Sequence, residues 1–114
     1  VALYEVENPQ DCGIAAVDEN NRIYKFIEKP NPKDIFTNVA STGIFVVEPE
    51  IINYIPENEF CDFGKDLFPM LINRNIPIYG YKTNEYLIDI GTLKSFEKAQ
   101  KDFVEKELYK YLNK

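Results

Sequence analysis

At 114 residues the chain matches one ordinary domain and is too short for two, and its 45% apolar and 14% aromatic content can fill a single core without disulfides or metal. A formal charge of −6, no long Lys or Arg run, no apolar stretch near the ~20 residues of a membrane span and no basic-then-apolar leader point to a soluble, cytoplasmic protein with neither nucleic acid nor membrane as partner. Histidine is absent, which excludes a Ser-His-Asp triad, a His general base and His-ligated zinc, so chemistry falls to carboxylates, Lys, Arg or an oxygen-held metal.

In chain order, residues 1–7 alternate as a strand that begins abruptly, and Asn8 to Asp11 reads as a turn. Cys12 and the later Cys61 lie in no paired motif and read as thiols of a reducing compartment. Gly13 to Val17 is a short buried strand, Asp18 to Asn21 a tight polar connection, and the alternation from Ile23 to Glu28 a second strand, together a hairpin. Pro30 and Pro32 open a loop that runs to Asn38. After Thr42 and Gly43, Ile44 to Val47 predicts a buried strand, and Glu50 to Tyr54 a short helix entered at Pro49.

Asp62 is placed to cap a helical segment bearing Phe63, Leu67, Met70 and Leu71, which Pro69 must kink or split. Ile76 to Tyr81 and Tyr86 to Ile90 predict two further strands. Thr92 caps a last helix reaching about Tyr109, with an apolar face of Leu93, Phe96, Ala99, Phe103 and Leu108 and solvent-facing pairs Glu97–Lys101 and Asp102–Lys106. The order predicts an α/β or α+β architecture, a mixed sheet with flanking helices.

Four turn or strand-end features could carry chemistry. Cys12-Gly13-Ile14 either needs a permissive backbone position or lets a ligand hydroxyl reach the main chain at Gly13. Glu28-Lys29-Pro30 is either a solvated strand end or a carboxylate for hydroxyls beside an ammonium for phosphate. Ala40 to Gly43 is ordinary turn chemistry or part of a pocket wall. In Asp89-Ile90-Gly91-Thr92 the capping turn explains the last two residues. Asp89, among apolar neighbours in sequence, is the one left over, because an ionised carboxylate there asks for a partner such as Mg²⁺.

Taken together, Cys12-Gly13-Ile14, the acidic turn Asp18 to Asn21, Glu28-Lys29-Pro30, Gly43-Ile44-Phe45, Glu48-Pro49-Glu50, Phe63 to Pro69 and Tyr86 to Thr92 resemble, in order and separation, the second half of the nucleotide-sugar pyrophosphorylase family. Phe60 to Pro69 and the loop from Asn31 to Asn38 look most like bacterial mannose-1-phosphate guanylyltransferases. The resemblance implies the C-terminal half of a nucleotide-diphospho-sugar transferase fold. It also implies a reaction in which a sugar 1-phosphate attacks the α-phosphate of a nucleoside triphosphate, giving a nucleotide sugar and pyrophosphate. By position it implies that Gly13 meets a sugar hydroxyl through its backbone, Glu28 accepts from sugar hydroxyls, Lys29 binds the sugar phosphate, Thr42 and Gly43 line the sugar pocket, and Asp89 holds Mg²⁺. Ser41, Leu93 and the Tyr86-Leu87 pair depart from the family pattern.

The family's Gly-rich nucleotide signature belongs to its N-terminal half, and the five glycines here are isolated. The expectation is therefore a sugar-phosphate-binding half, residues 1–114, that is catalytically silent alone. A sheet edge and an apolar surface left uncovered would drive self-association. The alternative is a non-catalytic sugar-phosphate-binding or regulatory module of the same fold.

Overall fold

The computed structural model describes residues 1–113, with side chains to residue 111. It divides into two compact units, Val1–Asn84 and Glu85–Lys114, each described by itself. Among the described residues no helix is long and apolar enough to cross a membrane.

The first unit is built on a mixed sheet of β1 (Ala2–Glu5), β2 (Gly13–Val17), β3 (Ile23–Glu28), β4 (Val39–Ser41) and β5 (Tyr81–Lys82), in the order β3-β2-β4-β1-β5. Among the described residues only β1 and β5 run parallel; the other pairs are antiparallel. The predicted hairpin is β2–β3, with Gly13 opposite Glu28 and Ala15 opposite Phe26. Its turn is fixed by Asp18, whose Oδ1 accepts from Asn20 N (2.8 Å) and Arg22 N (2.9 Å), while Asn21 takes a left-handed φ of 61°.

Leu3, Ala15, Ile23, Phe26, Leu67, Phe68, Leu71 and Ile78 form the buried core, so β1, β2 and β3 pack one face onto the helical segment that follows Asp62. That segment starts as a π-helical turn (Phe63–Leu67) and continues as α1 (Phe68–Asn73). Asp62 caps it as expected, its Oδ1 accepting from Gly64 N and Lys65 N, both at 2.8 Å. Pro69 splits the run by standing in the first turn of α1, where no N–H is needed.

Three predicted strands are corrected. Ile44 to Val47 is not a strand, and Ile44 (57%) and Val46 (94%) are exposed. The strand lies earlier, at β4, and Gly43 with φ +79° turns the chain out of the ladder. From Ile76 to Tyr81 only a bridge of Tyr79 to Arg22 and the start of β5 form. There Ile23 N donates to Ile78 O (2.7 Å) and Gly80 N to Asn21 O (2.8 Å), tying this segment to the beginning of β3. Tyr86 to Ile90 joins no ladder among the described residues, and a strand exists only with a partner.

The second unit holds α2 (Leu93–Glu105) and a 3₁₀ stretch (Leu108–Asn113). Thr92 caps α2 as expected, in a reciprocal box with Ser95. The helix ends at Glu105 rather than near Tyr109, because Glu107 adopts a left-handed φ of 52°. The Asp102–Lys106 pair forms (3.3 Å), whereas Lys101 pairs with Glu105 (3.6 Å) instead of Glu97. Asp102 was expected on the solvent face but is only 7% exposed, because Tyr86, Lys98 and Lys106 close over it.

Candidate functional site

Strand alternation sends Phe26 and Glu28 to the same side of β3, and their partners Ala15 and Gly13 to the same side of β2. One step beyond Gly13 and Glu28, Lys29 N donates to Cys12 O at 3.0 Å. The Gly13–Glu28 pair is therefore the non-hydrogen-bonded kind, in which side chains come closest and the N–H and C=O of Gly13 stay out of the β2–β3 ladder. A Cβ on Gly13 would collide with Glu28 Oε2 and lie 2.6 Å from Phe26 Cζ. From the other side, a Cβ on Gly64 would lie 2.5 Å from the same carboxylate oxygen. The Glu28 carboxylate thus sits in a slot between two glycines.

The slot opens into a hollow of about 470 Å³. Gly13, Glu28, Thr42 and Gly43, all picked out from the sequence, contribute to its wall. Thr42 Oγ1 donates to Ala2 O (3.1 Å) and accepts from Ile44 N (3.2 Å), which anchors the β4 exit. Nothing lies within 4 Å of the Cβ position of Gly43, so the backbone there borders open space. The floor is aromatic: Phe45 stacks on Phe63 (centroids 5.3 Å), and Phe68 meets Phe26, Phe45 and Phe63 edge-on at 5.1, 5.2 and 5.8 Å.

Burial pushes the Glu28 carboxyl above its ordinary value and the Asp62 carboxylate pushes it further, while the Lys29 and Lys65 charges pull it down. Asp62, Gly64 and the aromatic floor also line the hollow, and the sequence reading did not single them out as site residues. Asp62 is the helix cap its place in the sequence predicts, and only the fold brings it to the hollow's wall. The signal for Gly64 was its isolated place inside a helical pattern.

Lys29 is exposed and is not among the residues that wall the hollow, although its charge reaches Glu28. Its φ of 47° is left-handed, a conformation that a Lys adopts only when its surroundings impose it, and Pro30 behind it is buried. Asp89 belongs to the second unit. The apolar surroundings inferred for it do not exist: Asp89 and Ile90 are exposed, and Asp89 Oδ1 accepts from Gly91 N at 2.8 Å in a local turn. Among the described residues no three Cys, Asp or Glu side chains gather as a metal cluster. An exposed single carboxylate still suits Mg²⁺ as one protein ligand among substrate phosphates and water.

Residues 1–106 match the profile of the family described as nucleotidyl transferase. The chain is 33% identical over 96 residues to a UTP–glucose-1-phosphate uridylyltransferase of Synechocystis sp., an alignment covering 84% of this chain and 25% of that protein. It is 35% identical over 114 residues to a glucose-1-phosphate adenylyltransferase of Clostridioides difficile, covering 91% of this chain and 29% of that one. Its fold matches a structure described as a glucose-1-phosphate thymidylyltransferase of Bacillus anthracis in complex with a sucrose, with a TM-score of 0.71, 25% identity, and coverage of 87% of this chain and 40% of that one. The chain spans about a quarter of the length of the curated relatives it matches.

Proposed function

The chain belongs to the nucleotidyl transferase family, and from that premise we propose that it forms the sugar-phosphate side of a sugar-1-phosphate nucleotidyltransferase. The observation that carries this reading is the gathering of Gly13, Glu28, Thr42 and Gly43 around one hollow with an aromatic floor. A carboxylate in such a hollow accepts from sugar hydroxyls, and the flat rings pack against the apolar face of a pyranose. Lys29, at the end of β3 beside Glu28, neutralises the sugar phosphate from the rim.

In the reaction a phosphate oxygen of the sugar 1-phosphate bonds to the α-phosphorus of a nucleoside triphosphate, and the bond to the pyrophosphate leaving group breaks. This displacement needs alignment and charge neutralisation more than an acid or base, which accords with a chain lacking His. Asp89 is the residue that would hold Mg²⁺, whose charge would neutralise phosphate oxygens. The relatives named above favour glucose 1-phosphate as the sugar, and the likeness of the Phe60 to Pro69 stretch favours mannose 1-phosphate. Competition between the two sugars separates these readings. With only isolated glycines and so no phosphate-cradling loop, the chain by itself is expected to bind sugar phosphate without turning it over. Its exposed apolar residues Ile44, Val46, Ile52 and Tyr81 favour self-association, which light scattering over a concentration series measures.

Cys12 and Cys61 are thiols on the wall of the same hollow and provide the test. Glucose 1-phosphate or mannose 1-phosphate should slow their alkylation by iodoacetamide, and Glu28→Gln should abolish the protection. Alkylation at an unchanged rate under saturating sugar phosphate overturns the assignment of this hollow.

A further inference from the structure

A second hollow, of about 450 Å³, lies elsewhere on the first unit. Its wall includes Lys25 of β3, Lys82 of β5, and Phe36 and Thr37 of the loop before β4. Lys25 pairs with Ala16, one step out of phase with the Phe26–Ala15 pair, so it leaves the sheet on the face opposite to Glu28. The two hollows are therefore separate.

Acidic residues outnumber basic ones 19 to 13 in the chain, yet among the described residues no Asp or Glu lines this hollow while two lysines do. Neither Lys25 nor Lys82 has a carboxylate partner among the described residues. The Lys25 ammonium is held 4.2 Å from the centroid of the Phe36 ring, which restrains it without neutralising it and leaves N–H donors for another group. Thr37 Oγ1 accepts from Val39 N at 3.1 Å, so its hydroxyl proton is left to donate, and Tyr24 also lines the hollow. Two lysines, a threonine hydroxyl donor and small apolar side chains around one hollow suit a dianionic phosphate group carrying a small organic part, and the volume falls within the range of small-ligand sites, roughly 300–1,000 Å³.

We propose that the hollow lined by Lys25, Lys82, Thr37 and Tyr24 is a phosphate-binding site distinct from the Glu28 hollow, and that its ligand is a small phosphate monoester.

Amide NMR of the 114-residue chain, titrated with glycerol 3-phosphate and separately with inorganic phosphate at an ionic strength held constant with sodium chloride, tests this. Saturable shifts should centre on Ala16, Lys25, Thr37 and Lys82. A tighter response to glycerol 3-phosphate assigns a monoester, and an equal response assigns the phosphate group alone. Lys25→Met and Lys82→Met should each weaken binding about tenfold, as loss of one charged hydrogen bond does, and Lys33→Met should leave it unchanged. If Lys25→Met disturbs the loop by removing the contact with Phe36, Lys82→Met carries the test. Shifts that are absent, that track ionic strength, that survive both substitutions together, or that centre on Gly13 and Glu28 overturn the proposal. The last outcome would leave the Glu28 hollow standing, and failure of the Glu28 hollow in the alkylation test would leave this one untouched.

Discussion

Gly13 and Glu28 face each other across the β2–β3 pair so closely that the carboxylate of one occupies the space a side chain on the other would need. Gly64, delivered by the π-helical turn after Asp62, closes the slot from the far side. Missing side chains therefore hold Glu28 in place, and the carboxylate is partly stripped of water before any ligand arrives.

Gly64→Ala should cost about 1–3 kcal/mol of stability, the usual penalty of overpacking, and should weaken sugar-phosphate binding. Its added methyl meets Glu28 Oε2 and Cδ, so shortening that side chain with Glu28→Asp should recover part of the stability. Both methyls meet the Phe26 ring, but that of Gly13→Ala would lie 2.6 Å from Cζ against 3.3 Å from Cε1 for Gly64→Ala, so Gly13→Ala should be rescued less by the shorter acid. Urea melts of the single and double variants measure the difference.

Glu28→Gln should make the chain more stable at neutral pH while removing sugar-phosphate binding. A carboxyl whose folded pKa lies above its ordinary value of 4.5 binds its proton more tightly in the native state. Native stability therefore declines as pH rises from about the ordinary value through the raised one. The amide has no such step. Melting temperatures between pH 4 and pH 7 should fall for the parent chain relative to the variant, and parallel curves would remove the burial argument.

At Lys29 charge and backbone strain can be separated. Lys29→Gly relaxes the left-handed φ and should stabilise the chain by up to about 1 kcal/mol, whereas Lys29→Met keeps the strain. Both should weaken binding of the sugar phosphate and neither that of the unphosphorylated sugar. Calorimetry on the two variants, alongside denaturant melts, reads both effects.

Asp102 makes the second unit acid-sensitive. A hydrogen bond from Lys98 (2.6 Å), with help from Tyr86 and Lys106 against the opposing effect of burial, lowers its carboxyl from 3.8 to about 2. A depressed folded value means that the stabilisation is present above the ordinary pKa and is lost as pH falls through the folded one. The Tyr86 signal should change between those values, and Asp102→Asn should move that change away. A Tyr86 ring shift that is the same in both proteins would contradict this.

Local chemistry was the most legible part of the chain. Asp18, Asp62 and Thr92 act on backbone N–H groups two to four residues away, so their roles are written in short stretches, and all three formed. The hairpin was legible too, because its two-residue alternation and polar turn agree with each other. The apolar run from Ile44 to Val47 misled because hydrophobicity reports a tendency to be buried and not whether a partner strand is present. Around the hollow, Gly13, Glu28, Thr42 and Gly43 were reachable from their places at strand ends. Asp62 and Gly64 were not, since only folding brings the π-helical turn against β3. Asp89 was judged by its neighbours in sequence, which say little about solvent once the chain turns at Gly91.

From Lys25 to Glu28 the residues of β3 point alternately to the two sides of the sheet, and the bulge that leaves Tyr24 unpaired in the register places Ile23 and Phe26, three apart, in the same core. Exchanging one apolar residue for another along this strand is a small event, but inserting or deleting one is a large one. Adding a residue before Lys25 would swap inside for outside, putting an ammonium among phenylalanines and an isoleucine in the carboxylate's seat. Descendants of this chain should therefore exchange one apolar residue for another along the strand more readily than they change its length, with any change of length confined to the loops beyond the hairpin turn.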